Sequence, residues 1–148
     1  CDTPKNIYNK PHNIFVADFI GAPSMNLIQG NLINGNFIPN GSSDIKIPLD
    51  KYNFKDSNNA KNEKLVYLGI RPEHIYIDKN NSDNFQINAK SELVEYIGHE
   101  QIVTFKYSEQ QLLGKFSSTI DIDMDKDLKL YIDLNQFSLF DKNTKERL

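Results

Sequence analysis

The 148-residue chain carries a formal net charge of −3, with 39% hydrophobic and 25% charged residues. That composition suits one globular domain with a core, or one domain plus a fragment of another. It excludes a strongly basic nucleic-acid binder, and no apolar run approaches the roughly 20 residues of a membrane-crossing helix. The single cysteine, Cys1, excludes an internal disulfide, and the first ten residues lack the pattern of a secretory signal. In chain order, Thr3 as N-cap with Pro4 behind it predicts a short helix. Pro11 ends it and opens a second one, carried by Ile14, Phe15, Ala17 and Phe19 until Gly21 and Pro23 stop it. From Met25 the texture changes. Asn34–Gly35 between apolar runs predicts a hairpin, and Asn40–Gly41 a second turn before "IKIPL". Residues 50–63 are polar and read as a surface excursion. The runs "KLVYLGI", "HIYI", "NFQINAKSELVEYIG", "EQIVTFKY", "QLLGKFSST", "KLYID" and "FSLF" are short, β-branched or aromatic, and separated by turn residues. They predict a mostly β fold, a barrel or sandwich, with a short N-terminal helical segment.

Catalytic motifs are absent from the sequence. There is no phosphate loop, no nucleophile elbow and no zinc-protease motif. In "DIDMDKD", Asp121, Asp123, Asp125 and Asp127 alternate. A calcium loop starting at Asp121 needs glycine at its sixth position and glutamate at its twelfth, where Lys126 and Ile132 stand. Period two instead places the carboxylates on the solvated face of a strand. His12, His74 and His99 have no local ligand partner, so no metal is expected. "LGIRPEHIYI" gathers Arg71, Glu73 and His74 around Pro72. Proline bars helix for the residues before it, so the stretch reads as strand, tight turn and strand. Without a nucleophile or a pocket, those charged residues are expected to fix a turn or a subunit contact.

Ordered landmarks run along the chain. Thr3, Pro4 and Tyr8 fit T-P-x-x-x-Y; Pro11 with residues 15–21 fits P-x-x-x-F-V-A-x-F-I-G; Pro23, Met25 and Asn26 fit P-x-M-N. Residues 68–74 spell L-G-I-R-P-E-H. Val94, Glu95, Gly98 and Glu100 fit V-E-x-x-G-x-E, and Leu139, Phe140, Asp141 and Thr144 fit L-F-D-x-x-T. In this order the landmarks resemble the carboxy-terminal part of ATP-binding subunits of ABC importers of the maltose and glycerol-3-phosphate type. The resemblance implies residues 1–24 as the last helices of the ATPase domain. It implies residues 25–148 as an OB-like (TOBE/MOP-type) β-barrel with a regulatory and dimerising role. It places ATP, Mg2+ and all catalytic groups in a full-length parent, and none of them in this chain. The implied partners are a second copy of the subunit, membrane-spanning permease subunits and a regulatory protein. The implied location is the cytoplasmic face of the membrane, and the implied cargo a sugar or sugar phosphate. Arg71, Glu73, His74, Glu95 and Phe140 are the candidate structural or subunit-contact residues. Two alternatives come from the fold. One is oxyanion sensing at "NGSS", residues 40–43, near Lys46. The other is single-strand nucleic-acid binding by Tyr67, Tyr76, Phe85, Tyr96, Phe105 and Tyr107, which the acidic balance opposes.

Overall fold

The computed structural model describes residues 3–5, 10–14, 24–41, 45–50, 52–56, 63–78 and 84–148. Their regular structure is almost all strand, as expected. The helical lead-in falls largely outside the described residues; of it, Pro4, Lys5 and Ile14 are helical. The chain divides into two compact units, residues 1–70 with 135–148, and residues 71–134.

The first unit holds a five-stranded sheet in the order β10-β4-β1-β2-β3. Its strands are β1 (Asn26–Ile33), β2 (Asn36–Pro39), β3 (Ile47–Pro48), β4 (Lys64–Ile70) and β10 (Phe137–Asp141). β1 alternates buried and half-buried residues along its whole length, which is the pattern of a sheet with one face on a core. Asn34 and Gly35 join β1 to β2 with φ of 50° and 75°. Two left-handed residues give a primed turn, whose twist suits the hairpin. β4 and β10 supply Val66, Leu68, Ile70 and Leu139 to the interior, all essentially without exposure. A second, smaller cluster joins Met25 and Phe140, with Ile14, Leu27 and Tyr67 packed against it.

The second unit holds a sheet in the order β5-β9-β6-β7-β8. Its strands are β5 (Ile75–Tyr76), β6 (Asn84–Ile97), β7 (Glu100–Tyr107), β8 (Gln110–Ser117) and β9 (Asp127–Asp133). Val103, Phe105, Leu112, Leu130 and Ile132 form its interior, with Phe105 and Phe116 edge to face at 6.1 Å. The 14-residue β6 changes partner partway. Asn84 to Lys90 pair with β9, and Lys90 to Ile97 pair with β7, with a register shift between Ser91 and Leu93. A bulge of this kind bends a strand and sharpens its twist. This curls the sheet, as an OB-like barrel requires.

Two expectations are corrected. Residues 50–63 are not simply a surface excursion. The Tyr52 hydroxyl donates to the Leu148 carbonyl at 3.3 Å and accepts the Leu139 N–H at 2.9 Å. Its ring stacks on Phe137 at 5.2 Å and meets Phe54 edge-on at 4.7 Å. The Asp121 to Asp127 stretch is not a strand either: β9 begins at Asp127, and a turn precedes it in which Asp125 has a φ of 59°. All four carboxylates are exposed as expected, but Ile122 is buried between them and the Ser91 backbone holds the turn.

Candidate functional site

The L-G-I-R-P-E-H stretch lies where the chain passes from the first unit to the second. β4 ends at Ile70, and Arg71 stays extended at φ −70° and ψ 146°. Pro72 then opens a single 3-10 turn through His74, for which its fixed φ is already suited. The His74 N–H donates to the Arg71 carbonyl at 2.9 Å, and the Ile75 N–H closes the turn on the Pro72 carbonyl. Ile75 and Tyr76 pair with Ile132 and Tyr131, which brings the end of β9 and the buried Asp133 toward the turn. Strand, proline-set turn and strand is the order expected from sequence.

Arg71 is 1% exposed and is the largest fully buried side chain among the described residues. Burial holds its pKa below the ordinary arginine value. Burial likewise pushes the His74 imidazole below its ordinary 6.5. The carboxylates of Glu73 and Asp133 oppose that shift, and Arg71 reinforces it. The Tyr76 phenol is pushed up by burial and then by Asp133 and Glu73. A guanidinium closed off from solvent cannot reach a substrate. The backbone bonds close the turn, and burial favours the neutral form of His74.

The five sequence-selected residues do not converge. Arg71, Glu73 and His74 share one turn of the second unit. Glu95 is exposed on β6, opposite Ile102 of β7. Phe140 belongs to the first unit, where it packs with Met25. Gly69, within the same motif, explains part of that packing: a Cβ there would stand 2.5 Å from Met25 Sδ and 2.8 Å from Phe140 Cε2. The neighbouring Asp141 carries the L-F-D-x-x-T landmark. Its Oδ1 accepts the N–H of Asn143 at 2.8 Å and of Thr144 at 3.0 Å, and Lys64 Nζ lies 3.5 Å from Oδ2. Burial raises its pKa, but those two N–H groups and the Lys64 charge outweigh this and leave it below 3.8.

Two buried polar residues were not singled out from sequence. Ser91, at the β6 bulge, is fully buried, and its hydroxyl donates to the Asp123 carbonyl and accepts the Lys126 N–H at 3.1 Å. Its backbone takes the Asp125 N–H and donates to the Lys126 carbonyl at 2.9 Å. Gln101 is equally buried, and its Nε2 donates to the carbonyls of Ser117 at 2.8 Å and Ile120 at 2.6 Å. Both tie a loop to a strand. No isolated serine or glutamine in a strand pattern signals this, because the partners lie 16 to 35 residues away in the chain.

Large apolar side chains are exposed at the far end of β6. Leu93 is 44%, Tyr96 65% and Ile97 63% exposed. Leu93 and Ile97 stand in register with Thr104 and Glu100 of β7, beside the Glu95–Ile102 pair. Among the described residues no group of three His, Cys, Asp or Glu side chains could hold a metal, and no helix is long and apolar enough to cross a membrane. Neither alternative gains support. Residues 42 and 43 of the "NGSS" turn lie outside the described residues. Of the six aromatics, Phe105 and Tyr107 are core residues, so those two rings are not free to stack on a base.

Comparison with known proteins agrees with both halves of this layout. Residues 21–75 match the MalK OB fold domain, and residues 68–125 match the TOBE domain. The two matches overlap on the L-G-I-R-P-E-H stretch. The oligosaccharides import ATP-binding protein MsmX of Bacillus subtilis is 31% identical over 99% of this chain and 40% of its own length. The ABC transporter ATP-binding protein YurJ of the same organism is 30% identical over 97% and 40%. The trehalose/maltose import ATP-binding protein MalK of Thermococcus litoralis is 28% identical over 96% and 39%. The chain thus spans about two fifths of the length of the curated relatives it matches. With tandem OB-fold and TOBE matches on a curled β architecture, the chain belongs to the carboxy-terminal regulatory domains of sugar-type ABC importer ATP-binding proteins.

Proposed function

We propose that this chain is the regulatory and subunit-pairing part of the ATP-binding subunit of an importer for sugars or sugar phosphates. The observation that carries the reading is the collinear match along 99% of the chain to an oligosaccharide-import ATP-binding protein, spanning both β units. In this reading the full-length parent binds ATP and Mg2+ and hydrolyses ATP. Two copies of the parent meet through this region, which also receives a regulatory protein. The assembly sits at the cytoplasmic face of the membrane beneath permease subunits. The chain itself supplies no catalytic group. Its buried Arg71 turn and its serine- and glutamine-tied loops are means of holding a fixed surface, and exposed Leu93, Tyr96 and Ile97 are the apolar side chains that such a contact uses. The test is paired. The isolated chain is incubated with Mg-ATP, and no phosphate release above buffer is expected; turnover by the chain overturns the assignment. Joined to an ATPase domain of this class, the chain is expected to raise the fraction of dimer in the absence of nucleotide.

A further inference from the structure

The second unit carries a basic groove in a chain whose net charge is −3. Asn88, Ala89 and Lys90 of β6, Lys106 of β7, Ser108 of the β7–β8 turn, and Asp127, Leu128 and Lys129 of β9 line a depression of about 410 Å3. Lys90 and Lys106 face each other directly across the β6–β7 ladder. Lys129 stands opposite Asn88 on the adjoining pair of strands, and Asp127 opposite Lys90. Like charges directly opposite in an antiparallel pair are destabilising. No ion pair joins any of the three lysines to a carboxylate among the described residues, whereas Lys64 and Lys115 are paired. The groove therefore gathers three exposed ammonium groups and one carboxylate on one stretch of the sheet.

We propose that this groove binds a small phosphate monoester. The charge fits: three lysines less Asp127 leave an excess of two, and a phosphate monoester carries about −1.5 to −2 at neutral pH. The size fits a single small molecule, since ligand pockets span roughly 300–1,000 Å3. Lysine ammonium groups act on phosphate as compact point charges, while the Asn88 amide and the Ser108 hydroxyl supply neutral donors for the remaining oxygens. The site stands independently of the pairing role and fails or succeeds apart from it.

An amide NMR titration of the full chain with inorganic phosphate and a hexose phosphate, using the unphosphorylated hexose as control, tests this. Shifts are expected at residues 88–90, 106–108 and 127–129 with both phosphates and not with the neutral sugar. The Lys90→Gln, Lys106→Gln double variant is expected to bind about tenfold more weakly or worse, and wild-type binding is expected to weaken as salt rises. The thermal midpoint supplies a second reading. Phosphate raises it in the wild type only, and without phosphate the variant is at least as stable as the wild type, because a repulsion has been removed. The proposal is overturned if phosphates shift no groove amide, or if the double variant binds as tightly as the wild type. It is also overturned if an acidic peptide or an anionic vesicle occupies the groove while soluble phosphates do not.

Discussion

The two units are each built on a five-stranded sheet, yet they use it differently. In the first unit β10 returns from the end of the chain to pair with β4, and four of its five residues are buried. Side chains there pack on both faces of the sheet, around Leu68 and Leu139 on one side and Met25 with Phe140 on the other. The second unit is one continuous segment. Its sheet covers a single interior and leaves leucine, isoleucine, tyrosine and lysine side chains exposed. Closure of distant segments makes the first unit a clamp on its own chain, whereas the second unit exposes Leu93, Tyr96 and Ile97 at one end of β6.

The largest effects are therefore expected in the first unit. Phe140→Ala removes a fully buried ring and is expected to cost about 3–5 kcal/mol in urea unfolding; Gly69→Val, which drives a side chain into the same cluster, is expected to cost about 1–3 kcal/mol. A loss below 1 kcal/mol for Phe140→Ala would mean that the return of β10 does not hold the unit. In the second unit Ser91→Ala leaves turn groups of residues 123–126 without their hydroxyl partner and is expected to cost about 1–3 kcal/mol. Amide exchange is expected to quicken at residues 121–127 and to leave the first unit unchanged.

Titration separates the two units more finely. The folded-state pKa of His74 lies below 6.5, so the unfolded chain takes up a proton first. Stability of the second unit falls as pH drops through 6.5, until the folded imidazole also protonates. Asp141 acts in the other window. Its depressed pKa contributes stability to the first unit above 3.8, and this is lost as pH falls through the lower folded value. His74→Gln is expected to flatten the first slope and Asp141→Asn the second, each followed by fluorescence melts across the pH range. A single shared transition that neither variant alters would contradict this division.

The strands were legible because short β-branched runs between Gly, Asn and Asp admit little else, and the Asn34–Gly35 turn was legible because only such a pair accepts two left-handed residues. L-G-I-R-P-E-H was read correctly as strand, turn and strand because Pro72 restricts its neighbours on both sides. What stayed hidden depends on distant partners. Tyr52 in a polar stretch is an anchor only because Leu139 and Leu148 return to it, 87 and 96 residues on. The alternating aspartates suggested a strand, and the turn won because Ser91 meets their backbone at a bulge that no local pattern announces. The full burial of Arg71 was equally unreadable, since a charged residue beside proline looks like surface.

The smallest expected change in stability belongs to the exposed end of β6, and it tests the account most directly. Ile97→Asp alters a side chain that is 63% exposed, so unfolding is expected to shift by no more than about 0.5 kcal/mol. Sedimentation velocity of the wild-type chain across a wide concentration range is expected to show a reversible shift from monomer toward dimer. The variant is expected to remain monomeric over the same range. A wild-type chain that is monomeric at every concentration, or a variant that pairs as well as the wild type, would contradict the assignment of this surface to subunit pairing.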